Sequence, residues 1–129
     1  MTRTSNAPLE VARAYIETVG RRDAAPLQRL FADDLVARFA GGEFAKQAWI
    51  DGIARLFPVL IGNADLELFE HGDRVAVAYD FVTDTPAGAV RCIELVTVRD
   101  GRIHEIELLL DRVAFAPVPE ALAERAAAR

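Results

Sequence analysis

The spacing of apolar positions changes period along the chain. Leu9, Ala12, Tyr15, Ile16 and Val19 recur every three or four residues, which predicts a first helix ended by Gly20. Ser5 or Asn6 serves as its cap, and Pro8 falls in the first turn, where amide donors are free anyway. Asp23 caps a second, short helix that turns Leu27, Leu30 and Phe31 inward, and Asp33-Asp34 closes it. A short strand, Leu35–Ala40, stops at Gly41-Gly42. A third helix is expected from Glu43 to Phe57, because Phe44, Trp49, Ile50, Ile53, Leu56 and Phe57 make a wide apolar face. Pro58 limits it.

From Asn63 the period becomes two. Ala64, Leu66 and Leu68 alternate with Asp65 and Glu67, and His71-Gly72-Asp73 turns the chain into a strand over Arg74–Thr83. After the loop Asp84–Gly88, Val90–Asp111 reads as two long strands joined at Asp100-Gly101. That dipeptide suits a two-residue hairpin, since both turn positions need positive φ. The second strand is expected to run on toward Phe115. Pro117 and Pro119 end it, leaving 117–129 as a short Ala-rich helix or frayed tail. Helices first and a sheet after predict an α+β fold in one domain spanning residues 1–129. A curved sheet wrapped around three N-terminal-half helices leaves a cone whose open end can hold a small ligand.

Composition narrows this. The 52% hydrophobic content of a 129-residue chain implies an internal apolar pocket, a subunit interface, or both. Net charge is −5 with scattered Lys and Arg, so there is no basic stripe and no nucleic-acid partner is expected. The single cysteine, Cys92, excludes an intramolecular disulfide and fits a reducing compartment. The start, MTRTSNAPLE, lacks the apolar segment of a signal peptide, and the apolar run Leu56–Ile61 is interrupted by Pro58 and too short to span a membrane. The expectation is a soluble cytoplasmic protein.

The candidate chemistry centres on Glu94, a carboxylate inside an apolar strand. It either faces solvent, pairing with an arginine, or sits in a pocket. If it points inward, so do Cys92 and Val96, while Ile93, Leu95 and Thr97 point outward. An apolar outer face needs cover, and a homodimer packed sheet to sheet supplies it. On the last strand His104, Ile106, Leu108 and Leu110 share a face, with Glu105, Glu107 and Asp111 on the other. An oxyanion site needs preorganised donors in a dry place. Tyrosine qualifies at neutral pH, whereas a glutamic acid qualifies only where an apolar surround keeps it neutral, as Cys92, Val96, Tyr79 and Phe81 would. Histidine is the side chain suited to proton transfer near neutral pH, which makes His104 a candidate base. For Tyr15 the plain alternative is core packing. His71 and His104 lie far apart without nearby cysteines, so no metal site is expected, and no sequence feature calls for a cofactor.

Three segments carry a family likeness. They are Ala12–Phe39 (ARAYIETVGRRDAAPLQRLFADDLVARF, with its Phe-Ala-Asp-Asp motif), Gly41–Ile53, and Cys92–Asp111 (CIELVTVRDGRIHEIELLLD). They resemble the nuclear transport factor 2-like superfamily, its SnoaL-like polyketide-cyclase branch and ketosteroid isomerase included. The resemblance implies a cystatin-like roll: a cone-shaped, curved mixed or antiparallel β-sheet around the three helices, dimerising through the outer sheet face. Tyr15 falls where ketosteroid isomerase has the tyrosine that hydrogen-bonds the substrate oxygen, and Glu94 where it has a protonated aspartic acid doing the same. The family's carboxylate base corresponds to Phe39, whose ring cannot take a proton.

The implied activity is acid-assisted isomerisation or cyclisation at a carbonyl or enol of a small hydrophobic, cyclic substrate. Its expected contacts are Phe39, Trp49, Ile53 and Phe57 from the first half of the chain. Tyr79, Phe81, Cys92, Ile106, Leu108 and Leu110 come from the second. Two other readings stand beside it. One is an epoxide hydrolase of the limonene epoxide hydrolase type using Glu94, Asp111 and Arg91, although strand alternation puts Arg91 and Asp111 opposite Glu94. The other is a non-catalytic small-molecule-binding or dimeric assembly protein, which Phe39 favours.

Overall fold

Residues 7–128 are described by a computed structural model. The expected cap at Ser5 or Asn6 lies outside them. Helix α1 (Pro8–Gly20) buries Val11, Ala12, Tyr15, Ile16 and Val19, the face its periodicity predicts. Gly20 is needed for close approach as well as for ending the helix: a Cβ there would stand 3.0 Å from the backbone nitrogen of Asn63. The Asn63 side chain then donates to Ile16 O at 2.9 Å, which fastens α1 to the sheet.

The second helix is shorter than its pattern implied. Helix α2 is only Leu27–Leu30, and β1 (Phe31–Phe39) begins four residues before Leu35. Asp33-Asp34 is not a helix terminus but the exposed part of an irregularity in the β1–β6 register between Phe31 and Val36. Two aspartates at a helix C-terminus would oppose the helix dipole; here Asp33 pairs with Lys46 at 3.2 Å. The third helix is also trimmed. Ala40 and Gly41 both adopt positive φ and form a two-residue turn, so Gly42–Ala45 returns as strand β2, and α3 is Lys46–Leu56.

Strand β3 (Leu60–His71) starts earlier than the alternation from Asn63 implied, because Leu60 already pairs with Thr83. Strands β4 (Arg74–Thr83), β5 (Ala89–Arg99) and β6 (Arg102–Leu110) follow the expected hairpins, with Asp100 and Gly101 at φ 54° and 74°. β6 does not continue to Phe115. Asp111 stops it by accepting from the amides of Val113 and Ala114, capping the short helix α4 (Arg112–Phe115). The C-terminal segment is helix α5 (Pro117–Ala127), with Pro117 in its first turn and Val118 buried.

The six strands form one sheet in the order β2-β1-β6-β5-β4-β3, parallel only between β1 and β6. Register irregularities in β1, β3 and the β5–β6 pair bend it. The result is an α+β cone: a curved, unclosed sheet with α1 and α3 packed against it. Among the described residues no helix is long and apolar enough to cross a membrane.

Candidate functional site

Inside the cone lies a cavity of about 360 Å³. Helical spacing on α1 brings Tyr15 to its floor, and α3 contributes Trp49 and Ile53. Strand alternation supplies the opposite wall. In the ladder Val77, Glu94 and Leu108 form one row across β4, β5 and β6, and Tyr79, Cys92 and Leu110 form the next. Glu94 therefore has apolar neighbours directly beside it and Tyr79 on the diagonal, within side-chain reach.

The carboxyl of Glu94 is 3% exposed and is gripped at both oxygens. Tyr15 Oη donates to Oε1 at 2.6 Å, and Tyr79 Oη donates to Oε2. Trp49 Nε1 donates to Tyr15 Oη at 3.3 Å, which extends the chain to a fourth buried side chain. No cation pairs with Glu94 among the described residues. Burial pushes its pKa above the ordinary carboxylate value, and the two tyrosine hydrogen bonds oppose that rise. Burial, followed by the nearby Glu94 charge, pushes both tyrosines well above the usual phenol value. The Cys92 thiol is pushed up to about 12, again chiefly by burial, so it is no nucleophile at neutral pH.

Of the expected contacts, Phe39, Trp49, Ile53, Tyr79, Phe81, Cys92, Leu108 and Leu110 lie on the cavity wall together with Tyr15 and Glu94. Phe57, Ile106 and His104 do not. Phe57 packs against the outside of the core just past α3, and Ile106 is wholly buried within it. The register shift between Thr97 and Val98 puts Ile103 on the buried face and turns His104 aside, where Nδ1 sits 3.2 Å from Asp34 Oδ1. Arg91 faces the other side of the sheet, bound to Glu67 and Asp80, and Asp111 is engaged as the α4 cap; neither reaches Glu94.

Some wall residues escaped the sequence pattern. Phe44 reaches the cavity from β2 and packs on Trp49, and Phe115 reaches it from α4 against Phe81. Both belong to elements whose type the pattern misjudged. The second hydrogen bond to Glu94 was available in principle, because counting back from the Asp84–Gly88 loop pairs Tyr79 with Cys92.

A family model described as a SnoaL-like domain matches residues 12–106. No curated protein matches the chain. Among solved structures, a protein from Kribbella flavida DSM 17836 is 28% identical with a TM-score of 0.79, over 93% of this chain and 99% of that one. A protein assigned as a SnoaL-like polyketide cyclase from Jannaschia sp. CCS1 is 16% identical, TM-score 0.71, covering 92% and 96% of the two chains. A steroid delta-isomerase from Pseudomonas aeruginosa is 19% identical, TM-score 0.68, covering 99% and 96%. The last two are likenesses of fold.

Proposed function

The chain belongs to the SnoaL-like domain family, and on that premise we propose that it is an enzyme acting on a small hydrophobic, cyclic substrate held in the cone. The reaction is acid-assisted isomerisation or cyclisation at a carbonyl or enol, with the Tyr15–Glu94 network supplying the hydrogen-bond donation. The observation that carries this reading is Glu94 itself: a buried carboxyl, with no cation among the described residues, held by two phenols on the wall of an apolar cavity. Burial raises the cost of ionising such a group, and once protonated it leaves a donor of the network free for charge developing on a substrate oxygen. One donor of this kind is commonly worth ~3 kcal/mol of transition-state stabilisation.

Binding of a hydrophobic ketone tests the reading. Affinity is expected to fall as pH rises through the titration of Glu94, and Glu94→Gln is expected to remove that pH dependence. A Glu94 that titrates at the ordinary value of 4.5, with Glu94→Gln changing no affinity, sinks it.

Phe39 favours one second reading, a non-catalytic binding protein, because the wall position at the end of β1 carries no proton acceptor. Binding of ketones without turnover of any would select it. In either case we propose a cytoplasmic homodimer joined through the outer sheet face. Ile93 and Leu109 are paired there and roughly half exposed (42% and 48%), and Phe69 is 62% exposed.

A further inference from the structure

The hydrogen bonds around Glu94 run in one direction. Trp49 N–H donates to Tyr15, Tyr15 O–H donates to Glu94 Oε1, and Tyr79 O–H donates to Glu94 Oε2. With Glu94 ionised, all three donors are engaged within the cluster. The Glu94 end of the cavity then offers lone pairs only, and an acceptor oxygen placed against it finds no donor within the cluster. One proton added to the carboxyl releases one donor, and its position decides which.

A proton on Oε1 faces Tyr15 Oη, which already accepts from Trp49 and would have to accept twice. A proton on Oε2 faces Tyr79 Oη, which receives no hydrogen bond from a described nitrogen or oxygen donor; the thiol beside it, Cys92, donates to Val90 O instead. There the hydrogen bond reverses without any heavy atom moving: Glu94 Oε2–H donates to Tyr79 Oη, and the Tyr79 proton swings toward the cavity. Aiming the carboxyl proton directly at a ligand is inferior. It leaves the buried Tyr79 hydroxyl donating to a protonated oxygen, a weak acceptor.

We propose that Tyr79, not Tyr15, is the hydroxyl that meets the acceptor oxygen of a hydrophobic ketone, with Glu94 and Tyr15 as positioning residues behind it. The inference rests on the acceptor-binding reading of the cavity given above and names the atom that performs it. Because Tyr79 stands beside Cys92 and Leu110 in the ladder, the ligand oxygen lies over the β4–β5–β6 wall, away from helix α1. A neutral ketone binding to the ionised site takes up one proton from solvent, which stays on Glu94. The titratable groups facing Glu94 are Tyr15 from α1, Tyr79 from β4 and Cys92 on its own strand. Arg55 of α3 also lines the cavity, while Val77 and Leu108 beside Glu94 are apolar.

The test compares 2-acetylnaphthalene with its hydrocarbon counterpart 2-ethylnaphthalene, so that the ratio of dissociation constants isolates the hydrogen bond. The wild-type protein is expected to prefer the ketone at acid pH and to lose that preference by up to about tenfold per pH unit above the Glu94 titration. Tyr79→Phe is expected to cut the preference several-fold at acid pH, because only the Glu94 carboxyl proton, set farther back at Oε2, then remains to meet the ketone. Tyr15→Phe should keep it at acid pH and carry it to higher pH, because Glu94 loses a donor that favours its ionised form. If Tyr15→Phe removes the preference and Tyr79→Phe keeps it, the assignment to Tyr79 is overturned while the acceptor-binding reading survives. If the wild type shows no ketone preference at any pH, that reading fails and the assignment falls with it. A crystal structure of the unmodified protein with 2-acetylnaphthalene decides independently of any variant: the carbonyl oxygen within hydrogen-bond distance of Tyr79 Oη supports the assignment, and at Tyr15 Oη overturns it.

Discussion

Consecutive residues of β5 occupy different solvents. Cys92, Glu94 and Val96 are buried against the helices, whereas Arg91 and Ile93 on the other face are exposed. Both faces carry carboxylates, and they are handled in opposite ways. On the outer face Glu67 and Asp80 are met by the guanidinium of Arg91 in contact with water. On the inner face Glu94 receives hydroxyl donors and, among the described residues, no countercharge. The outer pairs are screened by water, whereas enclosure among neutral donors raises the cost of charging Glu94. The assignment of residues to faces depends on strand register, since a one-residue slip would exchange the two sets.

The sharpest contrast in stability lies between neighbours on β6. Ile106 has no exposed surface, so Ile106→Ala is expected to cost about 2–5 kcal/mol through lost burial and a residual cavity. Glu107→Ala, one residue along and exposed, should change stability by no more than about 0.5 kcal/mol. Urea denaturation of both variants measures the difference, and equal costs would mean that the two faces are not distinct environments.

Glu94 provides the next effect. Glu94→Ala leaves two buried phenols without their acceptor, an expected cost of about 1–3 kcal/mol for each group left unpaired. Its pH dependence has a definite sign. The folded pKa is raised above the ordinary 4.5, so the native state holds a proton that the unfolded chain has released. The stability this contributes is complete below the unfolded value and is lost as pH rises through the folded one. Thermal melts should therefore show Glu94→Gln gaining on the wild type as pH rises above 4.5 and holding that gain beyond the folded pKa. A wild type that gains on Glu94→Gln over the same range would mean that the donors outweigh burial.

The outer face yields a change in association rather than in folding. Ile93→Asp places a charge in the proposed subunit contact at a position already 42% exposed. Sedimentation should show monomers in place of dimers while the circular dichroism of the subunit is unchanged. An unaltered sedimentation coefficient would remove this face from the dimer.

How much of this was legible beforehand follows from where periodicity is decisive. The long hairpins from Arg74 to Leu110 could be read because alternation and the Asp100-Gly101 turn act together, and the inward set Cys92–Glu94–Val96 followed from that. The stretch Phe31–Ala45 could not. β1 pairs in parallel with β6, a partner some seventy positions away, and local spacing around Asp33-Asp34 suits a helix end equally well. Gly41-Gly42 marked a turn but not that the chain would return as β2, which is how Phe44 became part of the cavity wall. At the site, sequence and resemblance pointed to Tyr15 and Glu94, while the role of Tyr79 depended on a diagonal contact between strands. His104 was misplaced for a related reason: alternation assumes an unbroken ladder, and the register shift after Thr97 breaks it.

The smallest expected effect is the most discriminating control on the two faces. Arg91 holds Glu67 at 2.7 Å and Asp80 at 3.2 Å, but its side chain is 43% exposed, so solvent screens both pairs. Arg91→Ala is accordingly expected to cost about 0–1 kcal/mol, less still at high salt. It should leave ketone affinity and its pH profile unchanged, because the sheet itself separates this cluster from the cavity. That null result has content, since an epoxide-opening site of the kind that pairs carboxylates with an arginine would require Arg91 to act together with Glu94. Were Arg91→Ala to shift the pH profile of ketone binding, the outer cluster would be coupled to Glu94 through the sheet. The division of labour between the faces would then be one of degree.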